Sequence, residues 1–582
     1  MNLKYDYLSF FNNTSKNLPN RWDILALSLV FGFLGLLVWS GSQMVAPYQV
    51  GETLPISLVP TQLPRYAGLT ILRMLIALLC SLCFTLIVGT WAAKNKQAAK
   101  IIIPCIDILQ SVPVLGFLSI TIAGFIGLFP GSRLGPECAA IFAIFTAQAW
   151  NMCLSFYQSL NAVPPELTEA TTSFQLSAWQ RFWRLEVPYA LPGLLWNMML
   201  SMSGSWVFLV ASESISVAGQ TIDLPGIGSY LSLAIANSHG EAVIWAVSTM
   251  LLVILLYDQL FFRPMLDWSR KFTMDNVAIE TTSRSWMTVV LQRTHILQYL
   301  HQLLRHWGDL FINLSLFSRR QHPPLAKGLT QAASIRYWVV AWQLLQILFG
   351  CWMFWGLLRF ALGYISWQEV WYALALGGIT ALRVIVVVLI SGCIWLPIGV
   401  WIGLNARLSR MVQPFVQFLA AFPANVLFPL VVAVLLKWQL SIEVGVLPLM
   451  LLGTQWYILF NVIAGTESIP KELQQMTENL GLRGWIWWKR LIFPGIFPYL
   501  VTGMMTAVGS AWNISVIAEV MRWGSVTLSA MGLGAYISQA SDSGDFPRVA
   551  MGMVVMSVCV LVMNYGIWQP LYRLAQSKYR LS

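Results

Sequence analysis

Long apolar runs alternate with short polar loops along almost the whole chain. A helix that crosses a bilayer needs about 20 mostly apolar residues. On that basis the first half carries six predicted spans, at residues 24–46, 67–91, 101–128, 137–159, 189–213 and 241–263. The second half carries six more, at residues 337–360, 371–403, 412–436, 442–464, 495–518 and 548–570. The pattern predicts an all-α polytopic membrane protein with two halves of about six transmembrane helices each.

The composition supports a lipid environment. The chain has 582 residues, of which 57% are hydrophobic and only 10% are charged, whereas soluble domains carry about a quarter charged residues. So few charges cannot cover a water-exposed surface, and membrane lipid is therefore the expected partner of most of the exterior. The net charge of +11 comes from basic residues in short loops. That pattern indicates membrane orientation, and no nucleic-acid partner is expected.

Basic residues gather in every second loop, which sets the predicted orientation. Cytoplasmic loops of membrane proteins are enriched in Lys and Arg. The basic loops follow spans two, four and six of each half and contain, for example, Lys94, Arg181, Arg270, Arg407 and Arg490. We therefore expect both termini on the cytoplasmic side of a bacterial inner membrane. The first apolar run is too long for a signal-peptide core, so we expect it to be retained as a span.

A polar, basic stretch at about 265–335 separates the halves and is predicted to be a cytoplasmic linker. Within it, residues 286–317 place apolar side chains at helical spacing with basic side chains opposite, which predicts an amphipathic helix on the inner leaflet. The three histidines of this helix are not spaced to share one face, so no metal site is predicted. The single CxxC motif, at Cys80, has no partner pair nearby and is interpreted as apolar packing.

The two halves are copies of one another. Arg73 and Arg383 lie early in the second span of each half, 310 positions apart, and Glu213 and Glu519 end the fifth spans, 306 positions apart. The segment "LPGIGSYL" of the first half likewise overlies "AMGLGAYI" of the second. Because six is an even number of spans, both copies insert with the same orientation and are related by a pseudo-two-fold axis along the membrane normal. The expected domains are a first half at 1–264, the linker at 265–335 and a second half at 336–582.

A polar segment after the fourth span is the most distinctive part of the repeat. In the first half, "EATTSFQLSAWQRFWRLEVP" begins at Glu169, has Gln175 at its turn and ends at Pro188. In the second half, "QMTENLGLRGWIWWKRLIFP" has Gly481 at the same place and ends at Pro494. These segments resemble the EAA loop of permeases from ATP-binding-cassette (ABC) importers, which has an acidic-small-small start, a turn glycine and a closing proline. Only the first copy keeps the acid, and only the second keeps the glycine.

The rest of each half is similar to permeases of the nitrate, sulfonate, taurine and bicarbonate importers. The resemblance implies a type I ABC-importer permease fold, with two permease domains fused in one chain. It also implies that two coupling loops, at about 160–188 and 466–494, dock on ATPase subunits. The residues implied in this coupling are Glu166, Glu169, Ala170, Gln175, Arg181, Arg184, Glu472, Gln475, Gly481, Arg483 and Arg490. Because Gln175 replaces the turn glycine, we expect the first coupling loop to be built slightly differently from the second.

The energy source is expected to lie outside this chain. The sequence contains no GxxxxGK[ST] motif, so it has no P-loop to hold ATP phosphates. No grouping of nucleophile and base or of paired carboxylates suggests a catalytic site, and no cofactor is expected on the chain. The resemblance implies two ATPase subunits, identical or different, which bind ATP and magnesium. It also implies an extracytoplasmic substrate-binding protein.

Ionisable residues inside a span or at its end are costly and often functional, and one Arg and one Glu recur at matching places in both halves. Arg73 and Glu213 lie at a similar depth near the external face, and Arg383 and Glu519 repeat this placement. We expect two ion pairs, Arg73–Glu213 and Arg383–Glu519, near the outer mouth. The alternative is that all four side chains reach out to lipid headgroups.

Spans three and five of each half are expected to line the translocation path, as the resemblance implies. The candidate path residues are Gln110, Ser111, Ser201, Ser203, Ser205, Asn425, Ser510, Trp512 and Asn513. An alternative role for most of them is packing, because Ser at a helix interface permits close approach. No fixed cation is obvious in the middle of the path, so an anion would be bound there by neutral donors.

The sequence therefore predicts the translocation subunit of an ABC importer that moves a small solute, an oxyanion or sulfonate by resemblance, by alternating access. The alternative is a secondary transporter with parallel repeats, driven by an ion gradient. That alternative predicts coupling carboxylates near the bilayer midplane, and none lies in the middle of a predicted span. A third interpretation, a non-transporting membrane assembly or sensor, is disfavoured by the duplicated coupling loops.

Overall fold

The computed structural model describes residues 56–111, 114–217, 220–272, 365–439, 441–523 and 526–578. It also describes residues 32, 35, 38–44, 294, 306–310, 312 and 313. The predicted span at 337–360, most of the span at 24–46 and most of the predicted linker helix lie outside the described residues.

The first half is a series of helices interrupted by one small hairpin. Its helices are α1 (Pro60–Lys94), α2 (Lys96–Ser111), α3 (Val114–Leu128), α4 (Leu134–Asn161), α5 (Pro165–Ser173), α6 (Ala178–Glu213), α7 (Ile227–Ala236) and α8 (Gly240–Ser269). Strands β1 (Ser214–Val217) and β2 (Gln220–Asp223) pair antiparallel between α6 and α7.

The second half repeats this order element by element. Its helices are α9 (Trp367–Leu404), α10 (Ala406–Ala421), α11 (Phe428–Trp438), α12 (Ile442–Glu467), α13 (Lys471–Asn479), α14 (Gly484–Ala518), α15 (Leu533–Ser543) and α16 (Phe546–Ala575). Strands β3 (Val520–Trp523) and β4 (Val526–Ser529) pair antiparallel between α14 and α15. Each helix of the first half thus has a counterpart in the second half, so that α1 corresponds to α9 and α8 to α16.

Eight helices in the described residues are long and apolar enough to cross a membrane, namely α1, α4, α6, α8, α9, α12, α14 and α16. Their outer surfaces carry large apolar side chains that are more than half exposed, among them Leu79, Ile87, Trp401 and Val562. In a soluble protein such extensive apolar exposure would promote aggregation, whereas hydrocarbon solvates it well. The predicted all-α polytopic membrane class is confirmed, with two small hairpins added to it.

The third span of the second half is broken, although the sequence predicted a single span at 412–436. Pro423 follows α10, and a 3₁₀ turn, Ala424–Leu427, leads into α11. Proline lacks the backbone N–H and disfavours helical geometry in the residue before it, which explains this break. In the first half the described parts of the predicted span at 101–128 are α2 and α3.

The fourth and fifth spans form the centre of each half, where α4 packs along α6 and α12 packs along α14. The first core includes Phe156, Met198 and Trp206, and the second includes Ile458 and Trp512. The hairpins contact the opposite half, β1 against α15 and β3 against α7. This reciprocal contact agrees with the pseudo-two-fold relation predicted from the repeat.

Candidate coupling and translocation site

Each coupling loop is a helical hairpin in which a nine-residue helix turns into the fifth span. In the first half α5 is followed by Gln175, whose backbone has a positive φ of 52°. The N–H of Leu176 donates to the Thr171 carbonyl at 3.1 Å, and the N–H of Gln175 donates to the Thr172 carbonyl at 2.9 Å. This pattern is the left-handed helix ending that is usually made by glycine.

The second coupling loop makes the same turn with glycine. Gly481 has a φ of 63°, and the N–H of Leu482 donates to the Thr477 carbonyl at 3.0 Å. Gln175 therefore adopts the backbone conformation of its glycine counterpart. The expected difference between the two loops is not found in this turn.

The loops do differ where the second helix begins. In the first loop Ser177 Oγ accepts from the Gln180 N–H at 3.2 Å, and Gln180 Oε1 accepts from the Ser177 N–H at 3.1 Å. This capping box satisfies backbone donors that a helix start leaves free. In the second loop Arg483 makes no side-chain cap and Gly484 has a φ of 59°. In both loops a five-residue π-helical segment ends two positions before the closing proline, which has no N–H to contribute to the helix.

Most residues implied in coupling lie on the protein surface. The exposed ones are Glu166, Glu169, Ala170, Gln175, Arg184, Glu472, Gln475, Gly481, Arg483 and Arg490. Arg181 is half-buried because its Nε lies 3.2 Å from Glu186 Oε1, which also contacts Lys94 Nζ. An open groove of about 720 Å³ runs along α5, where Glu169 lies beside Thr172. An exposed helix with an open groove beside it offers another protein a surface to bind.

A buried charge cluster lies at the other end of the first half, next to its hairpin. Arg73 Nη1 lies 2.7 Å from Glu213 Oε1, so the structure brings together the first predicted ion pair. Glu137, in the first turn of α4, accepts from Arg73 Nε at 2.6 Å and from Nη2 at 2.7 Å. These three side chains are at most 3% exposed. They pair inside the protein and do not reach toward a lipid surface.

Arg383 repeats this arrangement with a difference in exposure. Its Nη1 lies 2.9 Å from Glu519 Oε1, which is the second predicted pair, and its Nη2 contacts Glu443. Glu443 matches Glu137 in the repeat, but its side chain is 46% exposed. All three charged side chains of the first cluster are therefore buried, whereas Glu443 leaves the second cluster partly exposed.

Each central glutamate also caps the short helix that follows the hairpin. Glu213 accepts from the Gly228 N–H at 2.6 Å and from the Thr70 hydroxyl at 2.7 Å. Thr70 Oγ1 in turn accepts from the Ile227 N–H at 3.1 Å. A carboxylate at a helix N-terminus is favoured by the free N–H groups there. A Cβ on Gly226 would overlap the Glu213 carboxylate, which explains the first glycine of "LPGIGSYL".

The second half builds the same cap. Glu519 accepts from the Gly534 N–H at 2.7 Å and from the Thr380 hydroxyl at 2.8 Å, and a Cβ on Gly532 would overlap its carboxylate. The sequence analysis missed the threonines and the third carboxylates, Glu137 and Glu443. Polar residues that recur at matching span positions in both copies were the signal that could have found them.

A tyrosine ties each short helix to the start of the second span. Tyr230 donates to the Leu58 carbonyl at 2.9 Å, and Tyr536 donates to Glu369 Oε1 at 3.3 Å. Burial raises the pKa of Tyr536, and the nearby Glu369 carboxylate raises it further. The hydroxyl therefore stays protonated and remains a donor at neutral pH.

At the interface of the halves, two carboxamides of the second half bind the backbone of the first. Asn425 Nδ2 donates to the Val207 carbonyl at 3.3 Å, and Asn513 Oδ1 accepts from the Val114 N–H at 3.0 Å. Val207 and Asn513 are equivalent in the repeat, and Val114 adjoins Leu115, the equivalent of Asn425. The two contacts are therefore related by the pseudo-two-fold, and both side chains come from the second half.

Two other path candidates form side-chain hydrogen bonds within their own half. Gln110 donates to Asn151 at 2.9 Å, and Ser510 donates to the Gly453 carbonyl at 3.2 Å. The candidates with buried side chains are Ser201, Ser203, Ser205 and Trp512. The side chain of Ser111 lies outside the described residues. The serines of α6 thus occupy packing positions, and the two asparagines lie at the interface.

The profile of a protein family described as "Binding-protein-dependent transport system inner membrane component" matches the chain twice. The matched segments, 85–262 and 396–567, fall one in each half and together make up more than half of the chain. The predicted fusion of two permease domains is thereby confirmed.

Individual relatives include permeases for different small solutes. A nitrate import permease protein from Leptolyngbya laminosa is 24% identical over 182 residues, which are 31% of this chain and 62% of that protein. A bicarbonate transport system permease protein from Synechococcus elongatus is 23% identical over 175 residues, 30% of this chain and 60% of that protein. A glycine betaine/proline betaine transport system permease protein from Escherichia coli is 29% identical over 180 residues, 31% of this chain and 48% of that protein.

The chain thus spans less than two thirds of the length of each of these relatives. The predicted resemblance to ABC permeases of the nitrate and bicarbonate branch is confirmed by these similarities. With a matching domain in each half, the chain belongs to the family of binding-protein-dependent transport system inner membrane components.

Proposed function

We propose that this chain is the translocation subunit of an ATP-driven importer, in which the two halves enclose one path. The observation that carries the proposal is the repeated coupling loop. In each half an exposed nine-residue helix, α5 or α13, is followed by the same left-handed turn and then by a helix continuous with the fifth span. A rigid element that joins an exposed surface to a span can transmit a displacement from one to the other.

The distribution of basic residues supports the orientation. We infer that the coupling loops and both termini face the cytoplasm, because the loops that contain Arg181 and Arg490 belong to the Lys- and Arg-rich set. The hairpins and the Arg–Glu clusters then lie toward the outer face of a bacterial inner membrane.

Energy and solute are supplied by partners in this proposal. Two ATPase subunits, which bind ATP and magnesium, dock on the coupling loops, and an extracytoplasmic binding protein delivers the solute to the outer face. The chain itself acts as a permease without its own ATPase site. The absence of a P-loop motif from its sequence supports this division of labour.

The path lies between the halves in this proposal. Alternating access requires the interface to open, so the hydrogen bonds from Asn425 to Val207 and from Val114 to Asn513 must break in the transport cycle. Each contact joins the predicted third span of one half to the fifth span of the other half. Gln110 and Ser510 are further candidates for contact with the moving solute.

The solute class follows from the relatives and from the chemistry of this interface. The relatives are named for nitrate, bicarbonate and betaines, all of them small and charged. The interface contacts are made by carboxamides and backbone groups, which can donate to an anion without a fixed cation. We infer a small oxyanion or a sulfonate-like compound.

The test is co-purification of the full chain with candidate ATP-binding-cassette ATPases from the same organism. Glu169→Arg alters the exposed face of α5, and Glu241→Arg is the matched control, because Glu241 is exposed at the opposite end of the first half. We expect the wild type and Glu241→Arg to retain the ATPase. Glu169→Arg should lower its recovery by about tenfold, since a mismatched charge in a docking surface costs affinity.

Two outcomes would contradict the proposal. The first is that no ATPase associates with the wild-type chain, or that both variants behave alike. The second is that the chain alone, in sealed liposomes, accumulates solute in response to an ion gradient, which would favour a secondary transporter.

A further inference from the structure

We propose that linker residues 306–310, 312 and 313 brace the first coupling loop through Asn313, and that no linker residue among those the structure describes braces the second coupling loop. The two loops would then respond unequally to a docked partner. The consequence for coupling rests on the proposed function, whereas the brace itself is a property of this chain alone.

The contact is a three-way hydrogen bond. Asn313 Oδ1 accepts from Gln180 Nε2 at 3.2 Å and from Arg184 Nη2 at 3.3 Å. The two donors lie four residues apart near the start of α6, and the acceptor lies about 130 residues away in the linker. One linker oxygen thus holds two side chains of the first coupling loop.

Gln180 connects this contact to the fold of the loop. Its Oε1 accepts from the Ser177 N–H while its Nε2 donates to Asn313. Movement of the linker therefore acts directly on the residue that caps the second coupling helix. The end of the first coupling loop is also joined to α1, because Glu186 contacts both Arg181 and Lys94, which is the last residue of α1.

The second coupling loop cannot make the same contacts. The repeat places Ile486 where the first loop has Gln180, and an alkyl side chain offers no donor. Ile492 replaces Glu186, so the second loop also lacks the carboxylate that contacts Arg181 and Lys94 in the first. Trp485 is 79% exposed and Ile486 is 55% exposed, whereas their counterparts Trp179 and Gln180 are half-buried.

The brace compensates for a less favourable turn. Gln175 adopts a positive φ that suits glycine, so the first loop would fray more readily than the second if nothing else held it. The capping box, the Glu186 contacts and the linker all act on the first loop. We infer that they hold it rigid, while the second loop depends on Gly481 and keeps an open apolar surface.

Hydrogen–deuterium exchange on the full chain in lipid nanodiscs, without any ATPase, tests the brace. Asn313→Ala removes the acceptor, and Asn313→Asp is the matched variant that keeps an oxygen facing Gln180 and Arg184. Loss of two surface hydrogen bonds should speed exchange of amides 178–184 by about three- to tenfold in Asn313→Ala. Exchange at 484–490 should not change, and Asn313→Asp should match the wild type. Arg184→Met removes one of the two donors to Asn313 and should give a smaller increase in the exchange rate of amides 178–184.

Three results would overturn the brace: unchanged exchange at 178–184 in Asn313→Ala, an equal increase in both loops, or an equal effect of Asn313→Asp. The first would also be the result if the linker bound only to the lipid surface. Because no ATPase is present, failure of the brace is separate from failure of the proposed function, which the co-purification tests independently.

Discussion

Arg73 holds two buried carboxylates, so its loss should destabilise the first half more than loss of Arg383 destabilises the second. Arg73→Ala leaves Glu137 and Glu213 without a counter-charge, and both are at most 3% exposed. Removing one partner of a buried ion pair costs about 3–5 kcal/mol. Arg383→Ala leaves Glu519 without a counter-charge in the same way, but Glu443, the second carboxylate of that cluster, is 46% exposed and can be hydrated. Arg73→Ala leaves one more buried carboxylate unpaired than Arg383→Ala does, so it should destabilise its half by about 1–3 kcal/mol more.

The clusters cap α7 and α15, so the loss should be visible as local opening of these helices. Hydrogen exchange of each short helix in nanodiscs reports the free energy of that opening. A difference of about 1.4 kcal/mol corresponds to a tenfold change in the opening equilibrium. We therefore expect α7 in Arg73→Ala to exchange at least about tenfold faster, relative to wild type, than α15 in Arg383→Ala.

A second variant checks the cause. Glu137→Gln in the Arg73→Ala background should recover part of the loss, because a neutral amide costs less to bury than a carboxylate. Equal effects of the two arginine variants on their own short helices would refute the reasoning. So would a failure of Glu137→Gln to restore any protection.

Three further predictions follow from single contacts. Gly226→Ala should lower the free energy of local opening of α7 by about 2–4 kcal/mol, because the new Cβ displaces the Glu213 cap. Gly127→Ala is the control and should be nearly neutral, because the space around its new Cβ is open. Hydrogen exchange of α7 measures both effects. Gln175→Gly should stabilise the first turn by about 1 kcal/mol, because it relieves a left-handed non-glycine residue, and slower exchange at 170–178 is the readout. Asn513→Leu should leave the Val114 N–H without its partner and shift the halves toward separation by about tenfold, measured as spin-label distances across the interface.

Each of these predictions has an outcome that contradicts it. Equal exchange in the two glycine variants would mean that the Glu213 cap does not depend on close approach. Faster exchange in Gln175→Gly would mean that the glutamine side chain supports the turn. An unchanged distance distribution in Asn513→Leu would mean that the carboxamide does not hold the halves together.

The sequence predicted the features that depend on residue type and on repetition. Two aligned copies were enough to locate the coupling loops and to suggest the Arg73–Glu213 and Arg383–Glu519 pairs, which the structure brings together. Family membership and the duplicated permease domain were predicted for the same reason, since a motif seen twice is rarely accidental.

What the sequence could not supply depends on tertiary placement. Glu137 is an ordinary acidic residue in the first turn of a helix until the fold brings it to Arg73. Ser201 and Asn513 are equally polar in the sequence, and only the packing of α6 makes the first a buried residue and the second an interface residue. The break in the third span of the second half was foreseeable from Pro423, but the apolar pattern alone predicted a continuous span.

The central claim is that this chain converts ATP-driven movement of partner subunits into passage of a solute between its halves. The most direct measurement is ATP hydrolysis by the chain assembled with its ATPase in nanodiscs, with and without binding protein loaded with nitrate, bicarbonate or a sulfonate. The account predicts that one loaded binding protein raises hydrolysis several-fold, and that Glu169→Arg abolishes the rise. Hydrolysis that ignores every loaded binding protein, or a rise that survives Glu169→Arg unchanged, would contradict it.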